Sequence, residues 1–139
     1  MISGIALALA ELSPQTKVWT AEPEHHDDWK RSLESGDIVS NPPGTHSICD
    51  AILTSQPGPL TWAVASKLLS GGFAVTDDDV KRAMHVAYHH LDGLFLEPGG
   101  AAALAVALRG LPCQMQGARV CIVVTGGNVD ASLHAACIA

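Results

Sequence analysis

The feature that most constrains the fold is an apolar run near the carboxyl end of the chain, residues 119–130 (RVCIVVTGGNVD). Unbroken β-branched and apolar residues are typical of a strand buried on both faces of a parallel sheet. The run ends in Thr125, Gly126 and Gly127, and two glycines let a backbone turn sharply and approach a ligand closely. Because ligands of open α/β sheets bind at the carboxyl ends of strands, we expect a binding site here. The alternative is that the two glycines serve turn geometry alone.

Composition limits what surrounds this run. The chain has 139 residues, which predicts a single domain over residues 1–139, and only 4% are aromatic, so the core must consist of Ala, Val, Leu and Ile. A net charge of -6 argues against a nucleic-acid partner. No apolar run is long enough to cross a bilayer. Four cysteines without a C-x-x-C pair indicate reduced thiols in a cytoplasmic protein.

Helical and extended patterns alternate along the chain. Strands are predicted at residues 17–22, 73–75 and 94–97 and in the run described above. Helices are predicted at residues 3–12, 29–35, 60–69, 77–91, 101–108 and 134–138. This alternation predicts an α/β fold, a three-layer parallel sheet with helices on both faces. Four short strands are few for a covered sheet, so we expect part of the sheet to be missing and the chain to form homo-oligomers.

Five short motifs occur in order along the chain: SGIA at residues 3–6, AEP at 21–23, SICD at 47–50, EPGGAA at 97–102 and TGGNVD at 125–130. In order and spacing they resemble the carboxyl-terminal half of the serine/threonine dehydratases, a family that also includes serine racemases. The resemblance implies part of the large domain of a fold-type II pyridoxal-phosphate enzyme, similar to the tryptophan synthase β-chain. It covers essentially the whole chain.

The last motif implies contacts with the cofactor, pyridoxal 5'-phosphate. Thr125 corresponds to the partner of the pyridine nitrogen, where a hydroxyl gives a neutral hydrogen bond and favours β-elimination over transamination. Gly126 and Gly127, followed by Asn128, would let the ring pack on the backbone. Most dehydratases have Ser where this chain has Thr, so the substrate stays open. The alternative is that Thr125 caps the terminal helix.

Two further positions are implied at the cofactor. Glu97 corresponds to an acid at a strand end near the ring, and the alternative is an ordinary surface carboxylate before a Pro-Gly turn. Asp50 and Ala51 fall where relatives have Asp-Gly at the edge of the cofactor. Ala51 stands where relatives have that glycine, and its side chain leaves less room for the backbone to approach the cofactor.

A metal site is also implied by the resemblance. Glu22 and Asp28 match acids that bind Mg²⁺ or Ca²⁺ in serine racemases, with a backbone carbonyl that here belongs to His26. Carboxylates, a carbonyl and waters suit such hard cations. The alternative is that Asp27 and Asp28 cap a helix beside a solvated turn. The pairs at residues 25–26 and 89–90 are interpreted as solvated histidines, because His90 has no second ligand at i+4.

The family's activity is deamination of L-serine or L-threonine by β-elimination to a 2-oxo acid and ammonia. Its Schiff-base lysine and glycine-rich phosphate loop lie in the first half of the relatives. The four lysines of this chain lack the surroundings of that lysine, so we expect no catalytic residue here and an inactive isolated chain. The alternatives are a non-catalytic truncated pseudoenzyme or oligomerising module and, last in rank, a metal-dependent hydrolase.

Overall fold

The computed structural model describes residues 1–139, apart from the side chain of Gln114. The helices are α1 (Ile2–Leu12), α2 (Asp28–Ser35), α3 (Pro59–Ala65), α4 (Asp77–His90), α5 (Pro98–Arg109) and α6 (Ala131–Ile138). The strands are β1 (Val18–Pro23) and β2 (Leu69–Val75), and short 3₁₀ turns cover Asp50–Ile52 and Cys113–Met115. None of the described helices has the length and apolar character needed to cross a membrane. The contacts divide the chain into two compact units.

The first unit comprises Met1–His46 and Thr54–Ala74. Strand β1 pairs with β2, and the connection between them carries two helices, as crossovers between parallel strands do. Trp19 of β1 stacks on Phe73 of β2 with ring centres 5.3 Å apart. Helix α1 packs on α3. Strand β1 therefore leads directly into the polar segment that precedes α2.

The second unit comprises Ser47–Leu53 and Val75–Ala139. Helix α4 packs against both α5 and α6. The contact is lined by small or apolar side chains that are buried: Val80, Ala83, Met84, Ala87, Ala101, Ala102 and Ala105. The many alanines let the helix backbones approach closely, as expected of a core poor in aromatic residues. A capping box between Thr76 and Asp79 starts α4.

The predicted buried strand in residues 119–125 is wrong for this chain. No strand forms there, and Val120, Val123 and Val124 are 46%, 44% and 36% exposed. The segment at residues 94–97 also forms no strand. A strand exists only by pairing with a neighbour, and the sheet of the described residues contains β1 and β2 alone. The other predicted strands and all six predicted helices are confirmed to within a few residues at their ends.

Candidate functional site

Backbone touches backbone where Thr125 meets the start of α5. The Thr125 N–H donates to the Gly100 carbonyl at 3.4 Å. A Cβ added to Gly100 would lie 2.6 Å from the Thr125 carbonyl carbon and would overlap its oxygen. Only glycine therefore allows this approach. We call residues 125–128 the diglycine corner.

Glu97 holds the diglycine corner at two points. Its own N–H donates to the Gly126 carbonyl at 3.2 Å, and its Oε2 accepts from the Asn128 N–H at 3.0 Å. Gly126 has φ +70°, a left-handed conformation that favours glycine, and a Cβ there would collide with the Glu97 carboxylate. The glutamate-proline bend and the corner, which are distant in sequence, thus form one structure.

The segment with Asp50 and Ala51 lies beside the same end of α5. A Cβ added to Gly99 would lie 3.7 Å from the Ala51 Cβ, which is ordinary contact. The segment is fastened by Asp77, which accepts hydrogen bonds from Ser47 Oγ at 2.5 Å and from the Ile48 N–H at 3.2 Å. Asp50 and Ala51 are themselves exposed. The structure therefore gathers every residue predicted to contact the cofactor around the first turn of α5.

The Thr125 hydroxyl is available to a ligand. The side chain is half-buried, and its Oγ makes no hydrogen bond within the part of the chain that the structure describes. Beside it, the two glycines present bare, exposed backbone. A free hydroxyl next to a flat backbone surface is a suitable environment for an aromatic ring that carries a nitrogen acceptor. The residues present thus fit a pyridine ring.

Glu22, His26 and Asp28 lie together in the first unit, and all three are buried. Both oxygens of Glu22 are occupied, Oε1 by the Trp29 N–H at 2.9 Å and Oε2 by the Lys30 N–H at 2.9 Å. These contacts join the end of β1 to the first turn of α2. The Glu22 carboxylate therefore caps that helix. Capping was expected of Asp27 and Asp28 instead, and the Asp27 side chain makes no cap hydrogen bond.

Burial dominates the electrostatics of this cluster. Burial raises the pKa of Glu22 to about 7, and the nearby Asp28 carboxylate adds to the increase. Burial also raises the pKa of Asp28, which is only 1% exposed. Asp28 Oδ1 accepts from Asn41 Nδ2 at 2.8 Å, whereas the buried Oδ2 has no partner. Among the described residues no three His, Cys, Asp or Glu side chains cluster to hold a metal, and in this cluster Asp28 Oδ2 is the buried carboxylate oxygen left without a partner.

Two features of the structure were missed from sequence. Nothing in the sequence around Asp77 indicates that its carboxylate binds residues 47 and 48. His85 and His89 form an i, i+4 pair, which His90 does not, and this spacing is visible in the sequence. Their rings lie 4.4 Å apart.

Comparison with known proteins defines the class to which this chain belongs. Residues 1–126 match the family model described as "Pyridoxal-phosphate dependent enzyme". The chain belongs to this family of pyridoxal-phosphate-dependent enzymes.

Similar individual proteins are consistent with this family. The chain is 35% identical to the serine racemase of Bos taurus, covering 94% of the chain and 39% of that protein. It is 37% identical to the beta-hydroxyaspartate dehydratase of Paracoccus denitrificans, covering 94% and 40%. The crystal structure of a serine racemase from Dictyostelium discoideum superposes with a TM-score of 0.81 at 34% identity, covering 93% and 40%. The chain thus spans about 40% of the length of these relatives, and the predicted α/β, fold-type II class is confirmed.

Proposed function

We propose that this chain forms the part of a serine/threonine dehydratase-like enzyme that faces the pyridine ring of pyridoxal phosphate. The observation that carries the proposal is the diglycine corner, held against Glu97 and Gly100 with the Thr125 hydroxyl free. The whole enzyme would deaminate L-serine or L-threonine to a 2-oxo acid and ammonia. Similarity to the beta-hydroxyaspartate dehydratase supports this reaction class.

Each residue of the corner has a separate task in this proposal. Pyridoxal phosphate supplies an electron sink when bound. The uncharged Thr125 hydroxyl would donate a hydrogen bond to the ring nitrogen. The ring would then stay a moderate electron sink, which favours loss of the β-hydroxyl. Glu97 would fix the corner, and Asp50 with Ala51 would border the ring on its other edge. Gly126, Gly127 and Asn128 would offer backbone to the ring face.

We further propose that the isolated chain does not turn over substrate. None of the four lysines stands in the sequence surroundings of the family's cofactor-binding lysine. Two of them have partners of their own, since Lys30 pairs with Glu34 at 3.1 Å and Lys81 with Asp78 at 2.9 Å. That residues 1–139 form a single domain stays a prediction.

The experiment separates ring binding from turnover. Pyridoxine, which has the ring but no aldehyde, is titrated into the chain, and amide shifts are followed by NMR. We expect shifts centred on residues 125–128 that weaken in Thr125→Val and persist in Thr125→Ser. Shifts elsewhere, or equal shifts in both variants, would refute the ring contact. Formation of 2-oxo acid from serine or threonine by the purified chain with added cofactor would refute its inactivity.

A hard-cation site is proposed at Glu22, the His26 carbonyl and Asp28, with Mg²⁺ or Ca²⁺ as ligand. The buried Asp28 oxygen without a partner supports it. A cation that binds only the folded chain should raise the melting temperature. We expect this rise at pH 7.5 in the parent chain, its loss in Asp28→Asn, and its retention in the exposed Asp37→Asn. Equal rises in both variants would contradict the site.

The alternative function is a non-catalytic, homo-oligomerising module. It is favoured by the exposed apolar side chains at Phe95, Val120, Val123 and Val124. Light scattering tests it, because a monomer at high concentration would exclude self-association.

We also propose a cytoplasmic location, supported by four cysteines that are all unpaired in the structure.

A further inference from the structure

Two histidines of α4 converge on one backbone oxygen of α6. His85 Nδ1 lies 3.0 Å from the Ile138 carbonyl oxygen, and His89 Nε2 lies 2.8 Å from the same atom. The two residues are separated by one helical turn, so their rings share a face of the helix. Two imidazole nitrogens therefore point at a single position next to the last turn of α6.

We propose that His85 and His89 bind a divalent transition metal of the class that imidazole prefers, Zn²⁺ or Ni²⁺, beside the Ile138 carbonyl. Imidazole is a suitable ligand for these ions, and two histidines at i and i+4 on one helix face form a chelate. The site is distinct from the acidic cluster of the first unit, whose oxygen ligands suit harder cations. It involves none of the residues proposed to contact the pyridine ring.

The ring separation fits a shared ion. A nitrogen–metal bond of about 2 Å puts the ion about 3 Å from the centre of the imidazole, so two rings on one ion have centres up to about 6 Å apart. The observed separation is 4.4 Å. The separation is thus compatible with both rings binding one ion.

The electrostatic setting favours a cation. Helix α6 ends at Ile138, whose carbonyl contacts both rings, and His89 lies in the last turn of α4. The carbonyl ends of helices carry partial negative charge. His89 is exposed and His85 half-buried, which leaves an entry path from solvent. Within the described residues no third His, Cys, Asp or Glu side chain completes the set, so water would fill the remaining positions.

A purely structural role makes a different prediction. Two neutral imidazoles can each donate an N–H to the Ile138 carbonyl and dock α6 onto α4 without any metal. Such a pair would show no saturable metal binding. Metal titration therefore separates the two explanations, and α4 itself supplies the matched control, since His90 is a neighbouring exposed histidine that is not part of the pair.

The test is calorimetric titration of the 139-residue chain with Ni²⁺ at neutral pH in a non-coordinating buffer. We expect one ion per chain for the parent and for His90→Gln. Affinity should fall about a hundredfold in His85→Gln or His89→Gln, because a chelate loses its second ligand. Ni²⁺ should also raise the melting temperature of the parent but not of His89→Gln. Because His89 is exposed, its variant should fold normally, which circular dichroism checks.

Three results would overturn the proposal. The first is no saturable binding by the parent chain, and the second is unchanged binding in His89→Gln. The third is binding that survives both histidine substitutions but disappears when the exposed Cys113 and Cys121 are alkylated, which would identify thiols as the ligands.

Discussion

Replacing Gly100 by alanine is the sharpest test of the contact between α5 and the diglycine corner. In an exposed helix interior alanine is more favourable than glycine by about 1 kcal/mol. Here the new methyl carbon would lie 2.6 Å from the Thr125 carbonyl carbon and 3.1 Å from the Gly126 oxygen, and would overlap the Thr125 oxygen. All three atoms belong to the backbone, so the corner itself must move.

The magnitude follows from these opposing effects. Overpacking costs about 1–3 kcal/mol, and losing the hydrogen bond from Thr125 to Gly100 costs about 1 kcal/mol. Offset by helix propensity, the net loss in the free energy of unfolding is about 2 kcal/mol. With a urea m-value of about 2 kcal/mol/M, the midpoint should fall by about 1 M.

The matched control is the neighbouring Gly99→Ala. Its added carbon would lie 3.4 Å from Ile52 Cγ1 and 3.7 Å from the Ala51 Cβ, both ordinary contacts. Its midpoint should equal or exceed that of the parent chain. If Gly100→Ala unfolds at the same urea concentration as Gly99→Ala, the close approach of the two backbones is refuted.

Three further perturbations have defined outcomes. Because the folded pKa of Glu22, about 7, lies above its ordinary value of 4.5, the folded chain keeps a proton that the unfolded chain releases. The stabilisation of the folded chain by this proton is complete below pH 4.5. It is lost as pH rises through 7, which lowers the free energy of unfolding by about 3 kcal/mol. Thermal melts of Glu22→Gln should lack this fall in stability, and a pH profile identical to that of the parent chain would contradict the prediction. Thr76→Ala removes the cap of α4 and should cost about 1 kcal/mol in urea titrations, whereas Thr76→Ser should cost little; equal losses would exclude the hydroxyl as the cause. Gly126→Ala should cost more when Glu97 is present than in a Glu97→Ala background, which leaves only about 1–2 kcal/mol of left-handed strain; additivity in a double-mutant cycle would rule out the collision.

Local signals explain why the helices could be predicted. Thr76 with Asp79 forms the capping box that starts α4, and Gly36 follows the last residue of α2. Both signals operate within one turn of helix, so the sequence contains all the information they need. The same holds for β1, which ends at Pro23.

Long-range pairing could not be predicted in this way. The apolar run at residues 119–125 has the composition of a strand, but no strand pairs with it in the described chain, and its valines stay exposed. The hydrogen bond that Ser47 Oγ donates to Asp77 joins positions 30 residues apart, and no spacing rule indicates it. The approach of Glu97 to the diglycine corner was expected only because of the family resemblance. Residue patterns alone predicted that a site lies at the corner, not which side chain holds it.

The two bonds made by Glu97 have a mechanical consequence. One residue at the start of α5 binds Gly126 through its amide and Asn128 through its carboxylate. Any sliding or tilting of that helix must carry the loop with it as one block. A displacement of α5 would thus also displace the hydroxyl of Thr125.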